Sequence, residues 1–67
     1  MQSTFITLTE VVGHATEVRR TSVVINTAHI IYAAPDMKRG VTTVFATSRA
    51  FEVEEDFVSV SALLLKA

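Results

Sequence analysis

Two histidines, a run of carboxylates and five cations carry whatever chemistry this chain could perform. His14 follows Gly13, and His29 follows the Asn26-Thr27-Ala28 step. A zinc site needs three or four ligands held at tetrahedral spacing, and two isolated histidines supply too few. Asp36 or Glu10 could be added only by conjecture, and the chain has no cysteine to offer a thiolate. No metal or other cofactor is therefore expected. His14 reads as a solvated loop residue and His29 as a turn residue bonded to backbone. Glu52, Glu54, Glu55 and Asp56 resemble the paired carboxylates of acid–base catalysis. Alternation explains Glu52 and Glu54 better: they share the outer face of a strand whose inner face is Phe51 and Val53.

Nucleophilic catalysis fares no better. The five serines include none in a Gly-x-Ser-x-Gly elbow, and the many threonines follow from β-propensity. No glycine-rich phosphate loop occurs. A chain of 67 residues also has little bulk left for a dry pocket once its core is filled. No enzymatic activity and no catalytic residue are expected.

The cations support a different class of function. Arg19 and Arg20 sit on one strand and point to opposite faces, Lys38 and Arg39 sit in a loop, and Arg49 in a turn. If these three places converge, they form a phosphate-contacting patch with Tyr32 or Phe45 as a stacking surface, as in small β-barrels that bind single strands. The competing explanation is ordinary edge and loop charge, including arginine that guards an edge strand. Six basic residues against seven acidic ones, a net charge of -1, argue against a chain built mainly to coat nucleic acid or an anionic membrane.

The elements that must position these residues are mostly strands. Phe5 to Thr9 alternates, with Ile6 and Leu8 on one face. Val11-Val12-Gly13-His14 reads as a connection, and Glu17 to Ile25 as a second strand. Asn26 suits the cap of a single helical or 3₁₀ turn. Ile30 to Ala34 is a third strand, apolar on both sides, and is expected at the centre of the sheet. On that placement Ile31→Asp should unfold the protein. Pro35 is expected to end the strand, and 35–40 to form a polar loop. Val41 to Thr47 is a fourth strand, Ser48-Arg49 a tight connection, and Phe51 to Glu54 a fifth strand. At the C-terminus Phe57, Val60 and Leu64 fall at helical spacing, while Val58, Val60, Ala62 and Leu64 alternate as a strand would. Helix propensity across Ala62-Leu63-Leu64-Leu65-Lys66 favours a short helix from about Asp56, which would cap it.

The order of these pieces resembles a group of very short bacterial proteins, the flagellar FlbD family and small phage and prophage proteins. The matching steps are Ile6-Thr7-Leu8-Thr9, Ile25-Asn26 with His29-Ile30-Ile31, Gly40-Val41-Thr42-Thr43-Val44, and Val53-Glu54-Glu55-Asp56-Phe57 with Val60. The chain departs from that pattern at Ser48-Arg49-Ala50, where a glycine turn is usual, at Asp56 and Ser59, and in a longer first connection from Glu10 to Thr16. The resemblance implies a small β-fold, an accessory phage or prophage role, and no catalytic residues.

Together these readings give one mainly β domain over residues 1–67. It is a small antiparallel five-stranded sheet, curled toward an SH3-like barrel, with a short C-terminal helix. The expected core is Ile6, Leu8, Val23, Ile25, Ile30, Tyr32, Val44, Phe51, Val53, Phe57, Val60 and Leu64. Met1-Gln2-Ser3-Thr4 lacks the basic and apolar regions of a secretory signal. The apolar runs Ile30–Pro35 and Ala62–Leu65 are too short to cross a bilayer, so a cytoplasmic setting is expected. With no disulfide and 49% hydrophobic residues, self-association is the cheapest source of further burial. A homo-oligomer, a dimer first, is the expected working form. The expected function is a non-enzymatic structural or interaction module, with a nucleic-acid-binding β-module as the alternative.

Overall fold

The computed structural model describes residues 4–13 and 17–66. Five strands form one open antiparallel sheet, β1 (Phe5–Val12), β2 (Arg19–Asn26), β3 (Ile30–Asp36), β4 (Val41–Ala46) and β5 (Ala50–Val53), followed by the helix α1 (Phe57–Lys66). The strand order is β2-β1-β5-β4-β3. The mainly β class, the strand number and the C-terminal helix agree with the sequence reading, and the arrangement is compatible with an SH3-like fold.

The β1–β2 hairpin is longer than the alternation predicted. It pairs residue for residue from Phe5↔Asn26 to Val12↔Arg19, so Val11 and Val12 belong to the strand and not to the connection. Gly13 then takes φ +101°, and a Cβ there would overlap the Glu17 carbonyl, so only glycine fits this bend. His14 lies outside the described residues.

Asn26 caps a 3₁₀ turn (Thr27–His29), its side chain accepting from the Ala28 N–H at 3.0 Å. The Thr27 N–H and hydroxyl both donate to the Thr4 carbonyl, at 2.8 and 2.9 Å. The Thr47 N–H donates to the His29 carbonyl at 2.8 Å. This turn thereby links the β1–β2 hairpin to the β3–β4–β5 meander.

One strand is not where its composition suggested. β3 is an edge strand, pairing only with β4, and not the centre of the sheet. A register shift between Ile30 and Tyr32 leaves Ile31 outside the ladder, 65% exposed. Ile30 packs toward the core, while Tyr32 turns outward and stacks on Phe45, with ring centroids 4.4 Å apart. The apolar run therefore reflects one inward residue, one bulged residue and one outward aromatic. Pro35 does not end β3 but pairs with Thr42 inside it. A residue without an N–H is tolerated there because the strand lies on an edge.

The core consists of Ile6, Leu8, Ile25, Val44, Val53 and Val60, with Val23, Ile30, Phe51 and Leu64 packed against it. Two expected members are absent. Tyr32 is 54% exposed and Phe57 is 38% exposed. Tyr32 follows the outward register of β3. Phe57 sits in the first turn of α1, at the edge of the stripe that Val60 and Leu64 press onto the sheet. Asp56 caps that helix, its carboxylate accepting from the Ser59 N–H at 3.2 Å.

Candidate functional site

The cations do not assemble into a free patch. Arg20 on β2 meets Glu54 at 2.7 Å, Arg39 in the β3–β4 turn meets Glu52 at 2.8 Å, and Arg49 meets Glu10 at 2.8 Å. Among the described residues only Arg19 and Lys38, of the five candidate cations, lack an ion-pair partner. Glu52, on the outer face of β5, draws Arg39 toward it, and Glu54, one residue past the end of the strand, holds Arg20. Arg49 turns to the other side. Its guanidinium lies 3.8 Å above the Phe51 ring and reaches both oxygens of Glu10, Nη1 to Oε2 and Nη2 to Oε1.

Glu10 is the least exposed of the paired carboxylates, with 12% of its side chain open to solvent. The hydrogen bond from Arg49 holds its carboxyl below the usual range, against the opposing effect of burial. The same bond raises Arg49 above its already high ordinary value. Asp56 is likewise lowered, by the hydrogen bonds from Ser59 at the helix start. None of these shifts moves a group toward neutrality, where a general acid or base works best.

A fifth carboxylate has a structural task that no local pattern announces. Glu55 accepts the Thr9 N–H on both oxygens, at 3.0 and 3.1 Å. Its carbonyl accepts the hydroxyl of Thr42, a residue 1% exposed, at 2.7 Å. Beyond this point β1 and β5 share only the register pair Glu10↔Val53 and the bond from the Glu54 N–H to the Thr9 carbonyl at 2.9 Å. Glu55 thus extends the joint by side chain where the backbone ladder runs out.

His29 borders a shallow depression with Asn26, Ser48 and Phe51. No other titratable group lines it, so it holds no acid–base pair. No group of three or more His, Cys, Asp or Glu stands in metal-binding proximity among the described residues. Every buried side-chain nitrogen or oxygen among them has a hydrogen-bond partner.

The surface feature that the charges do not explain is apolar. One groove runs between the β3–β4 turn and the start of α1, bordered by Pro35, Met37, Val41, Phe57 and Val58. A second lies between β3 and α1, bordered by Ala33, Phe57, Ser61, Leu64 and Leu65. Phe57 borders both, so they form one continuous flank. Met37, Val58 and Leu65 stand 88%, 73% and 86% exposed on it. The sequence signal was present in α1, where Val58 and Leu65 fall off the inward stripe.

No protein-family model, curated protein or solved structure matches the chain. None of the helices among the described residues is long and apolar enough to cross a membrane.

Proposed function

We propose that this chain is a non-enzymatic interaction module that works as a homo-oligomer, a dimer first, and meets its partner through the flank formed by α1 and the β3–β4 turn. The observation that carries this reading is the exposure of Met37, Val58 and Leu65 along two grooves that join at Phe57. Helices apolar around most of their circumference belong in covered positions, and large exposed apolar patches mark interaction sites. The setting we propose is cytoplasmic, as an accessory phage or prophage protein. The resemblance of its strand and turn order to FlbD-like and short phage proteins supports that setting.

The Tyr32–Phe45 stack, with Tyr32 exposed and Phe45 half-buried, favours a second reading, a β-module binding single-stranded nucleic acid. Three of its five candidate cations are engaged by glutamates, which makes it the weaker of the two. Sedimentation at micromolar concentration, repeated with Leu65→Lys, tests the first reading. The parent should sediment at twice the mass of 7.3 kDa and the variant as a folded monomer. A monomeric parent that shifts on mixing with DNA or RNA, in a salt-dependent way, would replace the first reading with the second.

A further inference from the structure

We infer that the second copy docks by laying its own α1 antiparallel against this one, across a two-fold axis that passes beside Ser61 and Ala62. This rests on the proposed self-association and adds its geometry. Val58 and Leu65 are seven residues apart, two turns of helix, and so share one outward face about 10 Å apart along the axis. A two-fold axis midway between them packs Val58 of each copy on Leu65 of the other. Ser61 and Ala62 flank that midpoint. Their small side chains let the two helices approach to the ~8 Å at which close-packed helices cross.

Charge selects the direction. Glu54, Glu55 and Asp56 precede the first turn of α1 and Lys66 ends it. A parallel pair would set the acidic ends together and the two lysines together. The antiparallel pair brings each Lys66 to the acidic start of the other helix and opposes the helix dipoles. Phe57 and Met37 extend the contact beyond the helix itself. The two sheet edges are poorer candidates. β3 is interrupted by its bulge at Ile31 and by Pro35, and β2 opens with two arginines.

The chain contains no cysteine, so a single introduced thiol reports its own symmetry mate. Ala62→Cys should form a disulfide-linked dimer in high yield under mild oxidation, and Ser22→Cys, midway along the open edge of β2, should not. Lys66→Glu should weaken dimerisation by roughly three- to twentyfold, since the exposed pair occurs twice, whereas Lys66→Arg should leave it unchanged. Circular dichroism of each variant confirms that it folds. A parent that sediments as a dimer while Ser22→Cys links and Ala62→Cys does not would overturn the helix pairing and leave self-association standing. A parent that sediments as a monomer, with neither thiol linking, would remove both.

Discussion

Thr42 is the only polar side chain in the buried set of the described residues, and its hydroxyl has one task, the 2.7 Å bond to the Glu55 carbonyl. Replacing it with valine keeps the shape and leaves that carbonyl without its donor. Such a loss costs about 1–3 kcal/mol, so Thr42→Val should lower the unfolding free energy by that amount in a urea titration. An unchanged midpoint would mean that water replaces the hydroxyl. Glu10 and Asp56 govern the acid side of stability. Both carboxyls are lowered in the folded protein, so the unfolded chain takes up protons first as the pH falls. Their contributions are complete above the ordinary values of 4.5 and 3.8 and fade as pH drops through the lower folded values. The melting temperature should decline below about pH 4.5, and Glu10→Gln should flatten part of that decline. Arg49, raised by its hydrogen bond to Glu10, contributes at every lower pH and loses that contribution only in strong alkali. These residues were visible in the sequence as types, but not as partners. Glu10 and Arg49 are 39 positions apart, and Glu55 and Thr9 are 46 apart.

At the scale of elements, local signals were legible and long-range order was not. Alternation identified the strands, Asn26 its 3₁₀ turn, and Asp56 the helix start, because each depends on neighbours a few positions away. The order β2-β1-β5-β4-β3 depends on β1 and β5 meeting across most of the chain, and no adjacent residues encode that. The central placement of β3 failed for a readable reason. The apolar content of Ile30, Ile31 and Tyr32 points to the centre and Pro35 to a strand end, whereas Pro35 paired inside β3 is the mark of an edge. The consequence reverses the expected behaviour of Ile31→Asp. With the side chain 65% exposed on a bulge, the variant should stay folded and lose no more than about 0.5 kcal/mol. Unfolding of that variant would show that Ile31 is covered in the working assembly, which would place a partner on the β3 edge.

For the whole molecule, the balance between core and surface sets how the fold behaves with concentration. Six hydrophobic residues are buried, while eleven large apolar residues stand exposed among those described. Covering Val58 and Leu65 alone would recover roughly 1.5–3 kcal/mol for each side chain, against a net stability on the order of 5 kcal/mol for so small a domain. Folding and association are then linked, because only the folded chain presents the α1 flank. For a dimer that unfolds to two free chains, each tenfold rise in concentration adds about 1.4 kcal/mol per dimer, or about 0.7 per chain. With the unfolding entropy usual for a domain of this size, that is a rise in melting temperature of about 3–5 °C per tenfold. Calorimetry across a roughly hundredfold concentration range should reveal the slope. Leu65→Lys should abolish it and melt at the parent's low-concentration limit, since Leu65 makes no part of the monomer core. A melting temperature that stays flat for the parent would mean that the sheet and the inward stripe of α1 suffice alone. The apolar flank would then be left open for a partner other than a second copy.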